Sequence, residues 1–384
     1  MIRRRWQVRQ RPTHTGLLGR ATAPDAISQA NGVLDAIIVP TARSADNLEH
    51  AITLARDAKT HLVLLCSRDA DPGEVLKRLD SDESTAATVV KIPDGYTHDL
   101  FEFDTTLWVK NKLPGMCAVR HSDLSVKRNI GLVVARMLDW KRIFFMDDDI
   151  RDVTPTALLH TVSALGGDGG CRSVGMAVTG FPDNSVVCHA RRETKRYQGV
   201  FVSGSVLAVD TKASFDFFPD IYNEDWLFFY RDTAKGRLGS SGRTATQLPY
   251  DPFASPQRAA GQEFGDVIAE GLYALLDEDL GSEYATAEYW NQFLADRKRI
   301  LDEIIEKSDT APQDIREKMT QAVSTARMCL GEIQPDMCVD YVLRWRRDLG
   351  QWETTLKQLP KAASISAALG KLNLAPAAAE DAMS

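Results

Sequence analysis

Ten residues constrain the fold more than any others: Lys141-Arg142-Ile143-Phe144-Phe145-Met146-Asp147-Asp148-Asp149-Ile150. Four apolar side chains run unbroken into three adjacent carboxylates. A short apolar run without alternation predicts a strand buried on both faces, as in a parallel sheet. The carboxylates then fall at the strand's carboxyl end, where open α/β sheets place their ligands. Three like charges there repel one another unless something positive sits among them, and a divalent cation with oxygen ligands meets that need. Asp147 and Asp149 alternate in direction if the strand persists, so they can serve different partners. A solvated acidic turn is the plain alternative, and the rest of the chain decides.

Similar strands precede this one. Leu34 to Pro40 predicts a first core strand ended by its proline, His61 to Cys66 a second, and Thr88 to Ile92 a third. Between them lie a helix carrying Leu48, Ile52, Leu54 and Ala55, capped by Ser44 or Asp46, and another opened by Pro72. A further helix, starting at Asp123 or Ser125 and running to Leu138, feeds the acidic strand. This alternation predicts an α/β fold, a mostly parallel sheet flanked by helices. Further on, the pattern predicts a helix over 152–165, a glycine break at 166–170 and strands at 174–179, 186–189 and 200–209. Gly204 interrupts the last strand, as glycine does where a ligand comes close. Residues 236–262, rich in Gly, Ser, Pro and Thr, read as a long lid-like loop before a helix over 263–276. Three amphipathic patterns, around Trp290, Met319 and Trp345, predict a C-terminal helical appendage. The expected segments are an N-terminal extension (1–30), an α/β domain (31–280), the appendage (281–360) and a flexible tail (361–384).

Composition excludes several function classes. A net charge of −7 over 384 residues gives no general affinity for nucleic acid. Arg3, Arg4, Arg5, Arg9 and Arg11 form a basic arm that could touch phosphates but reads as a solvated tail. No stretch approaches the ~20 apolar residues of a membrane span, and the first residues lack a signal-peptide core. Six cysteines without a CxxC pair suggest a reducing, cytoplasmic setting and no zinc site.

Four local matches, in order over about residues 33 to 232, resemble the GT-A fold of nucleotide-sugar-dependent glycosyltransferases, in the large, mostly inverting family that includes cellulose and chitin synthases. Ile38-Val39-Pro40-Thr41 resembles the first strand and donor loop. Lys127-Arg128-Asn129-Ile130-Gly131-Leu132 resembles the Arg-Asn-x-Gly-Leu helix. Phe145 to Asp149 resembles the DxD strand, and Asn223-Glu224-Asp225-Trp226 the Glu-Asp motif of the catalytic base. The resemblance implies a GT-A catalytic domain over 31–280 and a nucleotide-diphosphate sugar as donor, with Mn²⁺ or Mg²⁺ holding the diphosphate. It makes Asp149 a metal ligand and Asp147 a nucleotide contact and second metal ligand, leaving Asp148 open beside the nucleotide. Pro40, Thr41, Arg43, Ser67, Lys127, Arg128 and Asn129 would surround the nucleotide. Asp225 would be the base, or Glu224 if the register differs by one residue. Ser203, Gly204 and Trp226 would border the acceptor or the sugar.

The chain departs from the family in three ways. Many relatives supply a third metal ligand as a late histidine, and no His follows His189 here. Cys66-Ser67 stands where the family keeps an Asp at the second strand end. The Gln-x-x-Arg-Trp motif of processive synthases is missing, so a polymer-extruding enzyme is not expected. The acceptor, the sugar and the base stay open. The alternatives are a nucleotide-sugar mutase like the plant UDP-arabinopyranose mutases, which also join a Val-Pro-Thr strand to a DDD motif, and a non-catalytic nucleotide-sugar-binding protein. The C-terminal helices could also carry self-association.

Overall fold

The computed structural model describes residues 10–21, 34–80, 85–113, 115, 122–166, 170–182, 184–212 and 215–377. Arg3, Arg4, Arg5 and Arg9, part of the glycine break, and residues 378–384 lie outside them.

The first half alternates as its pattern dictates. β1 (Ala36–Thr41) is buried along its whole length. It does not stop at Pro40, because parallel pairing of Pro40 with Leu65 and of Thr41 with Cys66 carries it one residue further. α1 (Glu49–Asp57), β2 (His61–Cys66), α2 (Pro72–Asp80), β3 (Ala87–Lys91) and α3 (Asp104–Lys112) follow. α4 (Leu124–Met137) leads into β4 (Arg142–Met146), and the three aspartates form a turn before the two-residue β5 (Ile150–Arg151). Next come α5 (Pro155–Ser163), β6 (Ser173–Thr179), α6 (Val186–Glu193), β7 (Val206–Asp210), the short α7 (Glu224–Phe228) and α8 (Tyr230–Thr233). The chain continues through β8 (Leu238–Gln247), α9 (Pro256–Leu276), α10 (Ala287–Glu306), α11 (Gln313–Glu332), α12 (Pro335–Gln358) and α13 (Ile365–Gly370).

The eight strands form one sheet in the order β3-β2-β1-β4-β7-β6-β8-β5. The first four are parallel. β7 runs antiparallel to β4 and β6, β8 is parallel to β6, and β5 is antiparallel to β8. The sheet is therefore mixed. Alternation along β1 and β4 sends Ile38 and Phe145 into one apolar cluster and Ile37 and Phe144 into another, as expected for a sheet covered on both faces. The first cluster continues through Phe264 and Leu272 of α9 to Trp290, Trp345 and Trp352 on the C-terminal helices.

Four expectations change. Residues 186–189 form the start of α6, not a strand. Ser185 caps it by accepting from the Cys188 N–H, and Val186, Val187 and Ala190 are buried at helical spacing. A run of four apolar-looking residues does not separate the two periods. Of the 200–209 segment only 206–209 is strand, and the strand runs on to Asp210. The supposed lid at 236–262 is largely β8 and the first turns of α9. β8 needs the first of its two glycines, because a Cβ at Gly239 would lie 2.6 Å from Ala21 Cβ and 2.9 Å from Cys171 Sγ. The expected tail is folded through Ala377. Ser364 caps α13, Leu369 and Leu372 are buried, and the Ala377 N–H donates to Val89 O at 2.8 Å.

The expected N-terminal extension is also laid onto the fold. Gly19 bridges to Gly239 of β8, and its N–H donates to Leu238 O at 2.8 Å. The Gln10 N–H donates to Asp296 Oδ2 at 2.8 Å, and Arg297 Nη1 donates to Gln10 Oε1 at 3.1 Å. Residues 10–21 thus form a strap across α9, α10 and β8.

Candidate active site

A cleft of about 700 Å³ opens at the carboxyl ends of β1, β2 and β4, and it is lined by Arg43, Arg68, Arg128, Asp147, Glu224 and Asp225 among others. The aspartate turn and the Glu-Asp motif, about 75 residues apart in sequence, face each other here. Arg128, 2% exposed, joins them: Nη2 donates to Asp147 Oδ1 and Oδ2 at 3.0 and 3.1 Å, and Nη1 donates to Glu224 Oε1 at 3.0 Å. Burial alone would weaken the guanidinium charge. The negative fields of Asp147, Glu224 and Asp225 outweigh it and raise the pKa.

The Glu-Asp helix is aimed by the residue that precedes it. Asn223 adopts the left-handed conformation at φ 59°, and its amide donates to Asp266 Oδ1 at 2.8 Å. Asp266 is held in turn by Arg297 Nη2 at 2.8 Å. Asp225 then accepts from two backbone N–H groups, Gly204 at 2.7 Å and Trp226 at 2.9 Å. Gly204 has to be glycine. A Cβ there would come within 2.7 Å of Arg128 Nη1 and 2.9 Å of Asp225 Cβ. Ser203 is also in the cleft, with its hydroxyl 2.9 Å from that of Ser205. Trp226 lines the cleft with its ring packed edge-on against His14, Phe201 and Tyr273 at tilts of 53° to 88°.

The three aspartates divide the work differently from one another. Asp148 is a brace: it accepts from Thr41 Oγ1 at 2.8 Å, from the Ala42 and Arg43 N–H groups at 3.2 and 3.4 Å, and from the Arg43 guanidinium. It therefore fixes the turn after β1 and is only 4% exposed. Asp149 Oδ2 accepts from Arg43 Nη2 and Gln247 Nε2, both at 2.8 Å. The Asp147 and Asp149 side chains stay partly open, at 21% and 13%. Among the described residues no three His, Cys, Asp or Glu side chains come together as a metal cage. One or two carboxylates with the remaining ligands from phosphate and water is the usual arrangement for a hard cation, and Asp147 and Asp149 fit it.

Two expected nucleotide contacts prove to be internal. Lys127, 1% exposed, donates to Thr41 O at 2.7 Å and Ser67 Oγ at 2.6 Å, tying the ends of β1 and β2 together and occupying the Ser67 hydroxyl. Burial pushes its pKa down, against the opposing pull of Asp123. Asn129 clamps the Phe218 backbone, donating to its carbonyl at 2.9 Å and accepting from its N–H at 2.8 Å. Pro40 is enclosed in β1, and Arg43, half exposed, remains in the cleft. Arg68 was not singled out. It sits on the loop after β2 and lines the cleft. Gln247 and Asp266 were also missed, and neither stands in a motif that would mark it.

His14 carried no signal either. It lies between Asp277 Oδ2 (2.7 Å) and Glu270 Oε2 (3.1 Å), beneath Trp226. Burial alone would depress it, but the hydrogen bonds and charges of Asp277 and Glu270 prevail and raise its pKa from 6.5 to about 9. Its contribution to stability is thus complete below pH 6.5 and is lost as the pH rises through about 9. Urea denaturation is expected to show stability falling across that window, and His14→Gln should flatten the fall.

No described helix is long and apolar enough to cross a membrane. No family model and no curated protein matches the chain. Among solved structures, glucosyl-3-phosphoglycerate synthase from Mycobacterium tuberculosis with Mn²⁺, UDP-glucose and phosphoglyceric acid is 14% identical. That match has a TM-score of 0.40 and covers 66% of this chain and 85% of that one. The same enzyme with Mn²⁺, UDP and glucosyl-3-phosphoglycerate is 15% identical, with a TM-score of 0.38 over 60% and 79%. A structure described only as a mycobacterial protein is 12% identical, with a TM-score of 0.40 over 65% and 79%. Likenesses this distant carry no weight for the activity of this chain.

Proposed function

We propose that the protein is a glycosyltransferase that moves a sugar from a nucleotide-diphosphate donor to an acceptor hydroxyl, with a divalent cation held at the aspartate turn. One observation carries the reading. A single guanidinium, Arg128, connects Asp147 on the donor side to Glu224 on the acceptor side, so both motifs serve one cleft. The cation would neutralise the diphosphate as it leaves. Asp147 and Asp149 would hold it, and Arg43 and Arg68 would face the phosphates. On the other side, Asp225 takes the proton of the attacking hydroxyl as its oxygen bonds to the anomeric carbon. The bond from that carbon to the diphosphate oxygen breaks, and the nucleotide diphosphate leaves with the electron pair. Glu224 stays paired to Arg128, and Trp226 walls the acceptor side.

Metal-dependent donor binding tests the reading. Calorimetry with UDP is expected to show affinity that requires manganese, and Asp149→Asn should remove most of that manganese-dependent affinity. An unchanged affinity in this variant would sink the assignment. Product analysis then separates the alternatives: free UDP marks transfer, an isomerised donor a mutase, and an untouched donor a binding protein. A thermal-shift panel of nucleotide sugars would identify the donor, because ligand bound to the native state raises its stability.

A further inference from the structure

Gln247 ends β8, a strand that offers no catalytic motif, yet its register delivers it to the aspartate turn. β8 pairs antiparallel with β5 so that Gln247 lies opposite Ile150, and the Leu248 N–H donates to Asp149 O at 2.9 Å. The Gln247 side chain reaches Asp149 itself, with Nε2 2.8 Å from Oδ2. The residue is only 5% exposed, and its other amide atom, Oε1, is buried with no hydrogen-bond partner. An enclosed amide oxygen with no donor beside it leaves the orientation of the amide open.

We propose that Gln247 is an oxygen ligand of the divalent cation at Asp149, a role that rests on the donor-cation reading of the aspartate turn. An amide turns over by rotation of its last torsion, which exchanges oxygen and nitrogen within the same outline. Turned over, Oε1 stands where Nε2 now is, 2.8 Å from Asp149 Oδ2. Two oxygens at right angles on an octahedral ion with bonds of about 2.0–2.1 Å lie about 2.9 Å apart. The existing spacing therefore accommodates a small hard cation in front of both atoms. Without the cation, the amide donates to Asp149 and Arg43 holds the same oxygen. With it, Oε1 and Asp149 become adjacent ligands, Arg43 gives way with its half-exposed side chain, and phosphate and water oxygens complete the shell.

Manganese binding to the full-length protein, read by the loss of free Mn²⁺ signal in electron paramagnetic resonance with UDP present, tests this without any turnover. Gln247→Leu is expected to weaken Mn²⁺ affinity about tenfold or more. Gln247→His, which places a nitrogen ligand at the same site, should retain binding and show directly coordinated ¹⁴N in the electron spin echo modulation, a signal the wild type lacks. Asp149→Asn is the control. If it loses Mn²⁺ while Gln247→Leu keeps wild-type affinity and Gln247→His shows no ¹⁴N coupling, the Gln247 assignment is wrong and the aspartate turn stands. If Asp149→Asn binds Mn²⁺ as the wild type does, the cation reading and the Gln247 assignment fall together.

Discussion

Asp225→Asn is expected to cut the rate of transfer by about 10²- to 10⁴-fold while leaving manganese-dependent UDP affinity unchanged. An attacking hydroxyl holds its proton far above neutral pH, so the proton has to leave as the new bond forms. Asp225 is placed for this, with the Gly204 and Trp226 N–H groups fixing its two oxygens at 2.7 and 2.9 Å. The same bonds predict a side effect. The amide of Asn offers one oxygen and one NH₂, so one of the two N–H groups would face another donor. A typical hydrogen bond contributes about 0.5–1.5 kcal/mol net, and these two are partly buried, so a modest drop in stability should accompany the loss of rate. Glu224→Gln should do less to the rate, because Glu224 is already engaged by Arg128. Single-turnover kinetics with donor affinity measured alongside decide between them. Wild-type rates in both variants would remove the Glu-Asp pair from the chemistry.

The largest effect on stability is expected from Arg128→Met. This guanidinium is almost fully buried and is bonded to Asp147 and Glu224. Removing one member of a buried ion network leaves uncompensated charge and typically costs about 3–5 kcal/mol, a large share of any protein's stability. Met fills a similar volume, so the loss would be electrostatic rather than a cavity effect. Urea denaturation at pH 7.5 should show a gap of that size, and Arg128→Lys, which keeps a positive charge, should lose less. Equal losses in both variants would point to packing instead.

Much of this arrangement was legible because it rests on local patterns. Apolar runs of four to six residues marked β1, β2 and β4, and the position of Asp147 to Asp149 at a strand end follows from chain direction alone. The rest depends on what the tertiary fold supplies. β8 (LGSSGRTATQ) has two threonines but no valine, isoleucine or aromatic residue, and two glycines that weaken a strand. It is a strand because backbone groups of β6 and β5 pair with it, an effect that local propensity does not contain. Gln247 could not be found without that register. Lys127 and Asn129 lie inside a recognisable motif, but only the structure shows that their polar atoms are spent on Thr41, Ser67 and Phe218. His14 and Asp266 act through partners on distant segments, and no spacing within the chain foretells such pairs.

The strap of residues 10–21 also has a consequence for biosynthesis. His14 meets Glu270 across 256 residues, so its site does not exist when the strap leaves the ribosome. At ~5–20 residues per second, roughly 13–50 s of translation separates the two. Through that interval the segment has no charged socket to enter, and Trp226, once made, has no imidazole beneath it. At the other end, Ala377 returns to Val89 of a strand finished long before. Both closures join chain segments far apart in sequence, and such contacts form slowly because loop entropy is spent before they are made. The cleft wall at Trp226 is therefore finished only after α9 has been made, and a chain released before that would carry its aspartate turn but lack the wall.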